Sequence, residues 1–134
     1  MRHVLLACML LALLGSPAWA QTTVVTNPTT LFFTPSSNHT TVLSDGTALV
    51  ARYELRLFLK GAALPVQVFD LGKPTPVADL ITIVNPAWFT EIALNAEAVA
   101  KVAAIGPGGE GLSAASGPFV RLGPPGAPGA PGVK

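Results

Sequence analysis

Residues 49–60, Leu-Val-Ala-Arg-Tyr-Glu-Leu-Arg-Leu-Phe-Leu-Lys, alternate between apolar and polar with hardly a break. Leu49, Ala51, Tyr53, Leu55, Leu57 and Leu59 share one parity, and Val50, Arg52, Glu54, Arg56, Phe58 and Lys60 share the other. Side chains alternate across a strand, so this spacing predicts a half-buried central strand whose first set faces a core and whose second set meets water. A helix would spread the same leucines around its circumference and draw charges inward.

Shorter β-prone runs flank that strand. Residues 22–26 end at Asn27-Pro28, and residues 29–34 end at Pro35-Ser36-Ser37-Asn38, with Leu31 and Phe33 at core parity and Phe32 outward. Asp45-Gly46 marks a turn into the central strand, Gly61-Ala62-Ala63 ends it, and residues 65–71 form a further run before Pro74 and Pro76. Residues 80–84, Leu-Ile-Thr-Ile-Val, read as a fifth strand stopped by Asn85-Pro86. Residues 87–105 carry helix-forming alanines, yet Ala98, Ala100, Val102 and Ala104 alternate with Val99, Lys101, Ala103 and Ile105. The second half therefore reads as a strand, with a turn of helix in residues 88–95 as an open alternative. Gly106, Pro107, Gly108, Gly109, Glu110 and Gly111 follow as a hairpin-like loop, and residues 112–122 return as the last strand.

Seven short strands separated by turns, over one core, predict an all-β chain with an immunoglobulin-like sandwich. Three stretches add a resemblance. "KVAAIGPGGEGLSAAS" (101–116) resembles the end of a fibronectin type III domain, "RYELRLFL" (52–59) its third strand with Tyr53 at the aromatic position, and "TLFFTPS" (30–36) its second, with Phe33 where that family usually has tryptophan. The resemblance covers about residues 24–122 and implies a non-catalytic binding or spacer module, acting on proteins or the cell envelope. It departs from the family at Ala98, where a tyrosine normally pins the corner before the sixth strand; Trp88 or Phe89 are the residues available to fill that space.

The first twenty residues set the expected compartment. Arg2 and His3 precede an apolar run, and Ala18-Trp19-Ala20 meets the small-x-small cleavage rule, so a signal peptide cut after Ala20 is expected, with export to the periplasm or beyond. Leu5-Leu6-Ala7-Cys8 is a weaker match to a lipoprotein box, which would instead leave an acylated Cys8. The apolar run is shorter than the roughly 20 residues a membrane span needs. Cleavage removes Arg2 from eight basic residues and leaves seven against seven acids, a balance that argues against nucleic acid. It also removes the single cysteine, so residues 21–122 would fold without a disulfide, as a monomer stabilised by burial. Residues 123–134 place glycine at 123, 126, 129 and 132, a collagen-like register that also suits a stiff Pro-rich tether.

Catalytic and metal chemistry find little to use. His39 is the one histidine after the leader, too few for a histidine triad or a usual zinc site, and no cofactor is expected. Asp70 and Asp79 flank a loop as the nearest thing to a carboxylate pair, and residues 106–111 lack the lysine and helix of a phosphate loop. Asn38-His39-Thr40 matches a glycosylation acceptor of eukaryotic secretion. Candidate binding residues are Arg52, Arg56, Phe58, Lys60 and Lys101, expected to point outward together as a basic patch with Glu54 its single acid, for an acidic protein or an envelope polysaccharide; the loop 106–111 is the second candidate. A carbohydrate-recognition accessory, stacking sugars on Phe32, Phe58, Trp88 or Phe89, is the alternative.

Overall fold

The computed structural model describes residues 23–84, 87–88, 90–126 and 128–130, so the expected leader and its cleavage site, and also Phe89, lie outside the described residues. Among these the chain is all-β, with no helix long and apolar enough to cross a membrane. Eight strands form: β1 (Val25–Thr26), β2 (Thr30–Phe33), β3 (Arg52–Leu59), β4 (Gln67–Gly72), β5 (Ile81–Val84), β6 (Glu97–Gly106), β7 (Gly109–Leu112) and β8 (Phe119–Val120). The described part of residues 87–95 is turns, so the helical alternative is not realised.

A large sheet runs β1-β8-β6-β3-β4, with β7 also on β6, and a small sheet joins only β2 and β5. All pairings are antiparallel except β1 with β8, which is parallel. The central strand has the inner parity expected from its alternation: Tyr53, Leu55 and Leu57 are buried. Leu31 and Ile83 of the small sheet pack on the two core clusters built around these residues, so both sheets share one interior. Such a two-layer arrangement lets each sheet bury one apolar face.

The alternation fails at its start. β3 begins at Arg52, not at residue 49; Val50, on the expected wet parity, is buried, and Ala51 is exposed. The cause is a tertiary contact. The Leu49 carbonyl passes so close to Gly106 that any Cβ there would stand 1.9 Å from its oxygen, and the Ala51 N–H then donates to Ile105 O at 2.7 Å. The chain shifts by one position before it joins the ladder, which turns Val50 inward.

The last strand also departs from expectation. Instead of one run over 112–122, β7 and β8 are separated by residues 113–118. Val102 and Ala100 on β6 each exchange two bonds with a serine: the Val102 N–H donates to Ser113 Oγ and the Ser113 N–H to Val102 O, both at 2.9 Å. Ala100 and Ser116 repeat this at 2.9 and 2.8 Å. Val102 meets Ser113, Ala100 meets Ser116 and Ala98 pairs with Phe119, so this edge advances by three residues where β6 advances by two. The hydroxyls take the place of ladder carbonyls, and Ala114, Ala115 and Gly117 are pushed out to solvent.

Trp88 and Ile92, both buried, share a cluster with Ala98, where the corner tyrosine of the resembled family would stand. Arg121 holds that segment from outside, donating to Thr90 O at 2.7 Å and Ile92 O at 3.1 Å.

Candidate functional site

Two regions compete. The first is the outer face of the large sheet, where the sequence places its binding residues. Cross-strand register confirms that Arg52, Glu54, Arg56 and Phe58 share a face with Ile105, Ala103, Lys101 and Val99, in that order. It also brings in three acids beyond Glu54: Asp70 lies opposite Glu54, Glu110 opposite Ile105, and Glu97 reaches Lys60. Arg52 pairs with Glu54 at 2.7 Å and with Asp70 at 3.6 Å; Arg56 pairs with Glu54 at 2.9 Å and bonds Glu110 through Nη1 at 3.1 Å. Arg52, Arg56 and Lys60 therefore meet four carboxylates, with Lys101 set over Phe58, and the basic patch expected around a single acid is a charge-balanced lattice.

Phe58 is likewise not presented. It is 6% exposed, and Lys101 Nζ stands 5.0 Å from its ring centroid, so ring and ammonium satisfy each other within the sheet. The loop 106–111 contracts too: only Pro107 and Gly108 are outside the ladder, since Gly106 pairs with Gly109 and Gly111 with Ala104. Gly109 adopts φ 117°, a turn conformation that a side chain would strain. Glu110, from this loop, is the clamp on Arg56. The Arg56–Glu110 bridge passes from β3 to β7 over the intervening β6, and the residue between them there is Ala103, fully buried on the outward face. A small side chain is what lets the bridge lie flat.

The electrostatics follow the geometry. Hydrogen bonds from Arg56 and then Arg52 hold the Glu54 carboxyl below the usual range, Arg56 does the same to Glu110, and the guanidinium of Arg56 is held charged by Glu110 and Glu54 in turn. The cations expected to form a contact site thus spend their charges on Glu54, Asp70, Glu97 and Glu110, or, for Lys101, on the ring of Phe58.

The second region was not visible in the sequence. A cleft of about 430 Å³ opens between the sheets at the edge formed by β2 and residues 113–119. Its floor is the core itself, Leu55, Leu57, Ala100 and Trp88, and its two lips are Leu31 and Phe32 on one side and Ser116 and Gly117 on the other. Phe32, 68% exposed, stands at the mouth. A second hollow of about 270 Å³ continues the same gap, between Phe33 and Thr34, at the end of β2, and Gly111 to Ser113 across from it. No residue lining either hollow is charged. The larger volume falls in the range of ligand-sized clefts, which are typically apolar with few polar groups.

The far end of this gap is fixed by a polar node. Tyr53, 2% exposed, accepts the Ser36 N–H at 3.1 Å and lies 2.9 Å from Nδ1 of His39, whose ring stacks on it. Burial pushes the Tyr53 hydroxyl pKa up, partly offset by the bond from Ser36. His39 is thus committed to holding residues 36–40 against the core. Asp70 accepts the Gly72 N–H at 2.8 Å, while Asp79 sits in a left-handed turn with Ala78, between Val77 and Leu80. No metal-ligating cluster occurs among the described residues.

No protein-family model, no curated protein and no solved structure matches this chain.

Proposed function

We propose that the protein is an exported, non-catalytic binding module of the fibronectin type III kind, and that it binds through the cleft between β2 and residues 113–119. The observation that carries this reading is the cleft: an opening onto the core, uncharged throughout, in a small domain whose interior would gain from being closed. The immunoglobulin-like assignment draws support from the pairing of β2 with β5 in one layer and β3 with β6 in the other, since the chain then crosses between layers from β2 to β3 and again from β5 to β6. Export rests on the leader-like first twenty residues. The surface lattice around Arg56 serves solubility and stiffness in this reading, not recognition.

The carbohydrate alternative has lost most of its platform. Phe58 and Trp88 are buried, which leaves Phe32 as the exposed ring among the described members of that set. One aromatic at an apolar mouth suits an apolar guest better than a sugar.

Titration with an uncharged fluorescent naphthylamine tests the reading. Saturable binding that is lost in Phe32→Asp, with the fold unchanged, supports it. Absence of binding both by this probe and by uncharged extended peptides, or binding indifferent to Phe32→Asp, overturns it; retention on a polysaccharide column that depends on Phe32 would transfer the site to the carbohydrate alternative.

A further inference from the structure

The small sheet has only two strands, and β2 is paired on one side alone: β5 occupies that side, and among the described residues no strand lies on the other. Backbone groups of alternate residues along such an edge point outward and need partners. The sequence of β2, Thr-Leu-Phe-Phe, contains none of the lysines, prolines or inward charges that usually blunt an edge. Facing this edge across the gap is the serine-stepped segment 113–118, whose displaced residues cannot close it. The one strand near enough to do so, β1, pairs with β8 over two residues, Val25 with Phe119 and Thr26 with Val120, and then turns away through Asn27 and Pro28 into β2. The two hollows lie end to end along this gap, from Thr30 to Ser36 on the β2 side.

Resting on the reading of this cleft as the binding site, we infer that its occupant is an extended segment of another protein, uncharged, that adds a strand to the free edge of β2. An extended segment satisfies both halves of the site at once. Its backbone meets the open edge of β2, and every second side chain drops into the hollow over Leu55, Leu57 and Ala100, as in strand-addition recognition. A compact apolar molecule would fill the hollow and leave the edge bare. The uncharged lining sets the chemistry of the guest, because a carboxylate or ammonium placed there would be desolvated with no partner. From Thr30 to Thr34 the edge offers about 13 Å at about 3.3 Å per residue, so the core of the guest is about four or five residues with small or branched apolar side chains at alternate positions.

The probe is a capped peptide of about eight residues alternating valine and threonine, beside the same peptide N-methylated at alternate residues on the edge that would face β2. Binding is followed by amide hydrogen exchange in the whole protein. The inference expects the parent peptide to slow exchange of the outward-pointing β2 amides by about tenfold or more. The methylated peptide should lose this effect. Ala100→Leu, which fills the floor, should abolish peptide binding, and Phe32→Asp, at an exposed position, should do the same should Ala100→Leu fail to fold. Equal binding of the two peptides would overturn strand addition while leaving the cleft as a side-chain pocket. Binding of the uncharged naphthylamine without either peptide would also overturn it, in favour of a small apolar ligand. If neither peptide nor naphthylamine enters, the cleft reading fails with it.

Discussion

The two faces of β6 carry opposite designs on neighbouring residues. Lys101 faces outward into a lattice where cations and carboxylates are matched and even the aromatic ring of Phe58 is covered; Ala100 faces inward to a cleft where nothing is charged and the space is unfilled. A surface rich in charge looks like a recognition site in sequence, but charges that have satisfied one another across strands have little left to offer a partner. An apolar gap beside an unpaired strand edge is the reverse: it looks like nothing in sequence and leaves both area and backbone groups unsatisfied.

The contrast can be broken most severely from the core that both regions share. Leu57→Asp places an unpaired carboxylate at a position 3% exposed, and the cost of several kcal/mol rivals the whole stability of a domain this size. Loss of the folded near-ultraviolet circular dichroism is expected; a cooperative melt close to that of the parent would show that Leu57 is not in the core. Next comes the lattice itself. Ala103→Leu pushes up the Arg56–Glu110 bridge and overpacks a buried site, costing about 1–3 kcal/mol in urea unfolding. An unchanged midpoint would mean that the bridge does not pass over Ala103.

Tyr53→Phe removes the hydroxyl shared by Ser36 and His39 and should cost about 1–2 kcal/mol, with faster amide exchange confined to residues 36–40. The smallest effect belongs to the ion pairs. Glu54→Leu should cost about 1 kcal/mol or less, because the pairs are near the surface and Arg56 keeps Glu110. The sign of the pH dependence follows from lowered folded-state pKa values at Glu54 and Glu110: their contribution is present above the ordinary carboxylate pKa and is lost as pH falls through the folded values. Arg56→Gln should therefore flatten the acid limb of stability against pH measured by urea midpoints. An acid limb of unchanged slope would remove the lattice from the account.

Strand alternation was legible wherever one sheet face met one core, which is why Tyr53, Leu55, Leu57, Ala98 and Val102 are buried as their parity requires. It misled where a contact distant in sequence intervened. Val50 turns inward because Leu49 passes over Gly106, and no local pattern encodes that approach. Phe58 kept its outward parity but not its exposure, since parity chooses a face and says nothing of what Lys101 will do above it. The outer acids were missed because Glu110 and Asp70 arrive from other strands. For the divided last strand a signal did exist: Ser113, Ser116 and Phe119 recur at every third residue, a step that fits neither the period of a strand nor that of a helix. The cleft itself had no signal, because it is made by the shortness of β1 and, among the described residues, the lack of a second neighbour for β2.

Adjacent residues on β6 permit the most direct test of where this protein binds. Ala100→Leu and Lys101→Glu differ by one position and alter opposite faces of the same sheet. Affinity for the alternating valine–threonine peptide, measured for both variants and the parent by calorimetry, is predicted to vanish in Ala100→Leu and to stay within about twofold of the parent in Lys101→Glu, a difference under about 0.5 kcal/mol. Undiminished affinity in Ala100→Leu, with loss in Lys101→Glu, would contradict the account and return the binding site to the charged face.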